Sequence, residues 1–328
     1  MASCNYPLRF LPIFRRYLWG GRRLATMLSK PIGEGEDYAE SWEVVDHGED
    51  QSIVEHGWLE GAPLSELVEH HAGELFGISY AGDQFPLLMK LLDCNRTLSV
   101  QVHPNDEQGA KLDPPDLGKT EAWVVLAADP GSKIYAGLKP GVTREQVASA
   151  LEVGECEECL HAFEPTVGDC VFIPAGTVHA LGAGLVIAEI QQASDTTFRL
   201  FDWNRVGADG KPRPLHIEQS LDVIDYERGP VSAQVPEKIS IESSKLSRER
   251  LVDCDKFVLD RVRLSEAAEL GGDDCFHLLA VLEGSVQLQG DQAGVPLSKG
   301  QTALVPSAAG SFEVTPQAEA TLLDIFLP

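Results

Sequence analysis

Short apolar runs separated by glycine, proline and aspartate make up most of the 328-residue chain. Turn signals such as Asp129–Gly131 and Glu283–Ser285 recur at close intervals between these runs. Short strands with frequent turns are typical of a sandwich or a barrel. The pattern therefore predicts a mainly β fold, with strands that include Leu98–His103, Ala122–Ala127, Cys170–Ile173, Leu185–Gln191, Phe276–Leu282 and Gln301–Val305.

Three segments instead carry apolar residues at the spacing of one helix face. The first follows Pro63, the second follows Thr143 and the third begins near Ile217. Thr143 and Gln146 have the spacing of a capping box, and Gly154 is placed to end that helix. We expect these few short helices to pack against the sheets.

One longer pattern occurs twice. In Gly168–Pro174 and again in Gly300–Pro306, a glycine and a proline six positions apart flank an apolar strand. We therefore expect two copies of one β unit. The polar stretch Val235–Arg250 is the expected boundary region, which divides the chain into residues 1–238 and 239–328.

The charge balance excludes several classes of partner. The chain has 51 acidic and 26 basic residues, so its net charge is −25. Such a protein repels phosphate backbones and anionic lipid, which makes nucleic acid and membrane poor partners. The sequence contains no run of about 18 apolar residues, so it predicts no membrane span. The seven irregularly spaced cysteines predict reduced thiols, as in a cytoplasmic protein.

The residues with candidate chemistry combine imidazole, carboxylate and amide groups. Ser99, Gln101 and His103 share one face of a predicted strand, which is either a solvent face or a polar interior. His179 follows a sharp Pro-Ala-Gly turn, and Glu121 stands at the start of an apolar strand. A mixed nitrogen and oxygen set suits Zn²⁺, and also Fe²⁺, Mn²⁺ or Co²⁺.

Ordered and unusual motifs run through roughly residues 7–205. The glycine and proline positions that lead from Gly168 to His179 match the second cupin motif in full. The other motifs are Tyr17–Gly21, Ala39–Glu43, Lys90–Pro104, Gly118–Trp123 and Glu189–Arg199. Together they resemble the type I mannose-6-phosphate isomerases, or phosphomannose isomerases, and in particular the short bacterial forms of that family.

The resemblance implies a fold of two cupin units, each a jelly-roll barrel or sandwich. It also implies one metal site per chain, usually occupied by zinc, in the first unit. The second unit is expected to be degenerate, because no histidine follows Pro306 and His277 stands alone. The metal ligands that the resemblance implies are Gln101, His103, Glu121 and His179.

By the same resemblance, the reaction is the interconversion of mannose 6-phosphate and fructose 6-phosphate through a cis-enediol. Arg199 matches the arginine implicated in proton transfer or in stabilising the enediolate. The candidates for the acid/base group are Glu189, Asp195 and Lys119, and Lys90 and Ser99 fall near the sugar phosphate. A dianionic substrate also requires the lysines, the arginine and the metal to gather in one cleft.

Two other functions remain open from the sequence. A cupin oxygenase with Fe²⁺ is less favoured, because Gln101 replaces the first histidine of the usual pair and because Lys119 and Arg199 suit an anionic substrate. A non-catalytic sugar-binding or regulatory cupin is less favoured, because all four metal ligands are present. The expected partner is a small sugar phosphate, and the expected assembly is a monomer or a small homo-oligomer.

Overall fold

The computed structural model describes residues 3–77, 80, 82–206, 210–240 and 245–328. The helices are α1 Arg23–Thr26, α2 Leu64–Phe76, α3 Asp106–Gly109, α4 Arg144–Val153 and α5 Ile217–Val223. The strands of the N-terminal part are β1 Phe10–Leu11, β2 Ile13–Gly21, β3 Tyr38–Val44, β4 Asp46–His47, β5 Asp50–Gln51, β6 Ile53–Val54, β7 Leu87–Cys94, β8 Val100–Val102, β9 Glu121–Ala128, β10 Ile134–Leu138, β11 Leu160–Phe163, β12 Cys170–Ile173, β13 His179–Leu181, β14 Leu185–Gln192 and β15 Phe198–Phe201. Those of the C-terminal part are β16 Glu237–Ile239, β17 Leu246–Asp253, β18 Val258–Leu264, β19 Ala268–Gly271, β20 His277–Glu283, β21 Ser285–Leu288, β22 Leu297–Ser298, β23 Thr302–Val305, β24 Ser311–Pro316 and β25 Ala320–Phe326.

The N-terminal unit is a sandwich of two antiparallel sheets. One has six strands in the order β12-β9-β14-β7-β3-β2, and the other has five in the order β11-β10-β13-β8-β15. Their inner faces meet in a buried cluster to which Trp123 and Ile187 contribute from the larger sheet, and Ala136 and Leu181 from the smaller. Helices α4 and α5 cover the outer face of the five-stranded sheet, where Val147 joins the core.

The C-terminal unit repeats this plan. A six-stranded sheet in the order β16-β17-β18-β25-β20-β23 faces a four-stranded sheet in the order β19-β24-β21-β22. The core between them includes Val262 and Leu279 from one sheet and Val286 and Val314 from the other. The mainly β fold of two cupin-type units is therefore confirmed. Among the described residues, the sheets form sandwiches and none closes into a barrel. The division of the chain at residues 238 and 239 stays a prediction.

The two six-stranded sheets share a third core. Because side chains alternate along a strand, the faces turned away from each sandwich interior are free to pack on each other. The chain also joins the units through its N-terminal segment, where the backbones of Leu8 and Leu304 exchange hydrogen bonds of 2.8 and 2.9 Å. The residues buried between the sheets include Leu91, Val124 and Ala188 from one unit and Leu259, Leu278 and Leu323 from the other.

The three predicted helices are present as α2, α4 and α5. Thr143 and Gln146 form the predicted capping box, and Gly154 ends α4 with a φ of 75°. Helices α1 and α3 were not predicted, because a helix of four residues is too short to repeat an apolar stripe. No helix in the described ranges is long and apolar enough to cross a membrane. All seven cysteines are free thiols, as expected.

The C-terminal unit contains a buried ionic network that the sequence analysis did not predict. His277 lies with Nδ1 2.7 Å from Asp324 and Nε2 3.1 Å from Asp273. Arg248 donates to both Asp324 and the equally buried Asp260, at 2.6 and 2.9 Å. Burial disfavours the charged imidazole, but the carboxylates of Asp324 and Asp273 outweigh it and raise the pKa of His277 to about 9.

The raised pKa predicts how stability depends on pH. His277 has a pKa of about 6.5 when unfolded, so its stabilising contribution is complete below pH 6.5 and is lost as the pH rises through 9. The contribution is on the order of 3 kcal/mol. We expect the free energy of unfolding of the wild type to fall more steeply between pH 6.5 and 9.5 than that of His277→Gln, measured by urea denaturation. Parallel pH profiles would contradict the assignment.

Candidate active site

A cleft of about 300 Å³ opens between the two sheets of the N-terminal unit. Of the ten site residues predicted from the sequence, the cleft is lined by Lys90, Ser99, Gln101, Lys119, His179, Glu189, Asp195 and Arg199. The remaining two, His103 and Glu121, are each 1% exposed and contact the lining residues His179 and Lys119. Residues from distant parts of the chain therefore meet at one place.

Strand β8 settles the first alternative left open by the sequence. Val100 and Val102 point outward into the core beneath α4 and α5. Residues that alternate with them point the other way, so Gln101 and its neighbours Ser99 and His103 face the interior of the sandwich. This polar row is therefore not a solvent face, and Ser99 and Gln101 line the cleft.

Three of the four predicted metal ligands form a tight group. The Nε2 atoms of His103 and His179 lie 3.5 and 3.3 Å from the two carboxylate oxygens of Glu121. One ligand atom from each residue can be chosen so that all lie within 4.8 Å of one another. The fourth, Gln101, pairs with His179 across the strands β8 and β13, and its amide nitrogen lies 3.2 Å from Nε2 of His179.

Hydrogen bonds to backbone carbonyls fix which ring nitrogen of each imidazole carries the proton. Nδ1 of His103 lies 3.0 Å from the carbonyl oxygen of Thr196, and Nδ1 of His179 lies 2.9 Å from that of Thr177. A carbonyl oxygen only accepts, so each Nδ1 carries the proton and each Nε2 keeps its lone pair toward Glu121. This arrangement is the one that metal-binding histidines usually have.

Several buried atoms of this group have no hydrogen-bond partner. They are Nε2 of His103 and both carboxylate oxygens of Glu121. Leaving a buried polar atom without a hydrogen bond costs about 1–3 kcal/mol, which a bound cation would offset. Burial lowers the pKa of His103 well below its usual value and that of His179 to about 4, which keeps both imidazoles neutral. The donor set therefore fits a divalent cation with nitrogen and oxygen ligands.

The loop before β9 places Lys119 beside the carboxylate. Lys119 Nζ lies 3.2 Å from an oxygen of Glu121. The loop is held by Asp106, which accepts a hydrogen bond from the Gly118 amide at 3.0 Å and forms an ion pair with Lys256 of the C-terminal unit at 2.6 Å. The second unit thus contributes to the position of the loop that carries Lys119.

A second charged group lies on the floor of the cleft. Lys90 on β7 is paired in register with Glu189 on β14, and its Nζ lies 3.7 Å from that carboxylate. Glu40 on β3 lies 3.9 Å from the same nitrogen. Indole nitrogens donate to both acids, from Trp123 to Glu189 at 3.0 Å and from Trp42 to Glu40 at 2.6 Å. Glu40 was not assigned a role from the sequence, although it lies within the quoted motif Ala39–Glu43.

Burial changes the acidity of these groups. It raises the pKa of Glu189, and the negative charge of Glu121 raises it further. It also raises the pKa of Glu40. Burial lowers the pKa of Lys90, but the negative charges of Glu40 and Glu189 outweigh this effect, so its pKa is raised. The cleft therefore has a fixed cation next to two carboxyl groups that can hold a proton at a higher pH than usual.

The open side of the cleft is basic. Arg199 on β15 is paired in register with Gln101, and its Nε lies 3.4 Å from Ser99 Oγ. Arg213 also lines the cleft and is held by two hydrogen bonds to Asp202, of 2.8 and 2.7 Å. The sequence predicts that Arg213 lies in a proline-rich loop that could serve as a lid, but no pattern along the chain places Arg213 in the cleft.

Comparisons with known proteins identify the family of this chain. Residues 8–126 match the family description "Phosphomannose isomerase type I, catalytic domain", and residues 247–323 match "Mannose-6-phosphate isomerase, cupin domain". The chain is 37% identical over 320 residues to mannose-6-phosphate isomerase ManA of Bacillus subtilis, which covers 95% of this chain and 97% of that protein. It is 34% identical to mannose-6-phosphate isomerase of Streptococcus mutans, over 94% of each chain.

The fold is also similar to solved structures. A crystal structure of the mannose 6-phosphate isomerase from Bacillus subtilis superposes with a TM-score of 0.89 and 29% identity, over 98% of this chain and 99% of that one. A mutant form of the phosphomannose isomerase from Salmonella typhimurium shares the fold at a TM-score of 0.77 and 16% identity, over 98% and 99% of the two chains. With its sequence relatives covering nearly its whole length, the chain belongs to the type I phosphomannose isomerase family.

Proposed function

We propose that this protein interconverts mannose 6-phosphate and fructose 6-phosphate, and that the reaction depends on one Zn²⁺ ion per chain. The proposal rests chiefly on the buried, unpartnered ligand atoms of His103 and Glu121 beside His179. They lie next to a cleft of about 300 Å³ with cations on its walls. Gln101 completes the ligand set that we propose.

The isomerisation removes a proton from C2 of the open-chain aldose and returns one to C1, through a cis-enediol. When bound at this site, the ion would act as a Lewis acid that polarises the sugar oxygens. The acid/base group must lie in the cleft and have a pKa near the working pH. We favour Glu189, because it is buried in the cleft and burial and the charge of Glu121 raise its pKa. Asp195 and Lys119 remain the alternatives.

The cations of the cleft have two proposed tasks. Arg199 would hold a fixed positive charge beside the oxygen that becomes negative in the transition state. Lys90 and Ser99 would hold the sugar phosphate, together with Arg213 at the open side of the cleft. These charges explain how a protein of net charge −25 can bind a dianion, because the field inside a cleft depends on the groups that line it. The free thiols fit the reducing cytoplasm, where we place the reaction.

Metal removal tests the proposal directly. We expect a chelator followed by dialysis to abolish the formation of fructose 6-phosphate from mannose 6-phosphate in a coupled assay, and Zn²⁺ to restore it. Turnover that is insensitive to the chelator would argue against a metal-dependent reaction. Oxygen uptake in the presence of Fe²⁺ would favour a cupin oxygenase, and tight binding of the sugar phosphate without turnover would favour a regulatory cupin.

His179→Ala should lose the metal, because the Nε2 atom of His179 lies 3.3 Å from Glu121 within the proposed ligand group. Elemental analysis should find about one zinc ion per wild-type chain and much less in the variant. The matched control is His277→Gln, which alters the buried histidine of the C-terminal unit and should leave the zinc content unchanged. Full zinc content in His179→Ala would remove His179 from the ligand set.

Arg199→Ala should fold and bind zinc but turn over slowly. Loss of one preorganised positive donor beside a developing charge costs about 10²–10³-fold in kcat. Arg199→Lys should recover part of the loss, since it keeps the charge but not the planar guanidinium. The control is Arg263→Ala, an arginine of the C-terminal unit that should not affect kcat. A near-normal kcat in Arg199→Ala would exclude it from the mechanism.

A further inference from the structure

One carboxylate outside the cleft contacts the loop that carries site residues. Asp116 lies on the segment between α3 and β9, and its side chain is only 15% exposed. Its Oδ2 atom accepts hydrogen bonds from the hydroxyls of Ser194 and Thr196, at 2.8 and 2.6 Å. Its Oδ1 atom accepts from the Leu117 amide at 2.8 Å and lies 3.2 Å from Nε2 of His47.

The residue between the two hydroxyls is Asp195, which lines the cleft. Ser194 and Thr196 turn toward Asp116 on either side of it, and the Thr196 amide donates to Ser194 Oγ at 3.2 Å. The carbonyl oxygen of Thr196 accepts the hydrogen bond from Nδ1 of His103 at 3.0 Å. One loop of three residues therefore presents a candidate acid/base group to the cleft and orients a metal ligand.

We propose that Asp116 is a positioning residue, which holds Ser194 and Thr196 in place. Asp195, between them, then faces the cleft. The Thr196 carbonyl in turn keeps Nε2 of His103 directed at the metal site. The inference rests on the proposed function for its effect on turnover. Its effect on the orientation of His103 does not depend on which reaction the cleft carries out.

The chemistry of Asp116 suits this task. Burial favours its protonated form, but hydrogen bonds from His47, Thr196 and Ser194 outweigh burial and hold the pKa of Asp116 well below its usual value. An ionised carboxylate only accepts hydrogen bonds, so both hydroxyls must donate to it and their directions are fixed. An amide in the same place can also donate, which would leave the directions of the hydroxyls undetermined.

The sharpest test is therefore the isosteric change Asp116→Asn. Partners that orient a metal ligand typically contribute 10–100-fold to metal affinity or activity. We expect Asp116→Asn to bind Zn²⁺ about 10–100-fold more weakly in competition with a chromophoric chelator. At saturating zinc we expect kcat to fall while KM changes little, because Asp116 does not line the cleft.

A second variant and a control separate positioning from general stability. Thr196→Val removes one hydroxyl but keeps the backbone carbonyl and the side-chain volume. Like Asp116→Asn, it should weaken zinc binding. The matched control is Glu74→Gln, since Glu74 also accepts from a serine hydroxyl, a backbone amide and a histidine, at Ser3, Cys4 and His71. The control should change the thermal midpoint at most and leave zinc affinity unchanged.

The outcomes are distinct. The inference would be overturned if both Asp116→Asn and Thr196→Val kept the zinc affinity and kcat of the wild type. It would also be overturned if Glu74→Gln lost as much zinc affinity as Asp116→Asn. If the wild type proves inactive on mannose 6-phosphate, the proposed function fails. Zinc affinity alone then tests Asp116: a loss of about tenfold or more supports its role, and an unchanged value refutes it.

Discussion

The arrangement of this protein depends on one unfavourable burial. Glu121, His103 and His179 are placed inside a sandwich, each 1% exposed, and the Glu121 carboxylate has no hydrogen bond, although the Lys119 ammonium lies 3.2 Å from it. Burial of a carboxylate is unfavourable unless positive charge compensates it, so the surrounding fold must both impose this geometry and hold positive charge beside Glu121. The hydrogen bonds from the imidazoles to backbone carbonyls and the anchored loop before β9 serve the first of these requirements.

The alternation of side chains along β7, β9 and β14 explains why the second unit is present. The inner faces of these strands carry Lys90, Glu121 and Glu189, while their outer faces are apolar and would be exposed without a cover. The six-stranded sheet of the C-terminal unit supplies that cover. The sheet that builds the cleft is therefore buried on both sides, which restricts the movement of the charged residues it carries.

The two units place polar residues at equivalent positions but satisfy them differently. Glu121 is paired with Ile173 in the first copy of the repeated motif, and His277 with Val305 in the second. Asp324 has the place in its sheet that Glu189 has in the other, with Asp260 where the first unit has Lys90. In the second unit Arg248 and His277 neutralise the acids directly. In the first unit Lys90 and Lys119 lie 3.7 and 3.2 Å from Glu189 and Glu121, but Nε2 of His103 and the Glu121 oxygens have no hydrogen bond. These unsatisfied atoms distinguish the first unit from the hydrogen-bonded network of the second.

Much of this protein was determined by the local sequence. Turn residues and short apolar runs were sufficient to predict the mainly β fold, and apolar residues at helix spacing predicted its three longer helices. The motif from Gly168 to His179 indicated a cupin, and the further motifs between residues 17 and 199 indicated the family. All ten predicted site residues lie in or against the cleft. Only the tertiary structure showed that the row with Gln101 faces inward and that Glu40 and Arg213 line the cleft. It alone also showed that His277 is ionically paired and that Asp116 accepts hydrogen bonds from the loop that carries Asp195. These features depend on which strands are neighbours and on which face of a sheet is covered. Such contacts join residues far apart in the chain, and no local pattern of hydrophobic and polar residues encodes them.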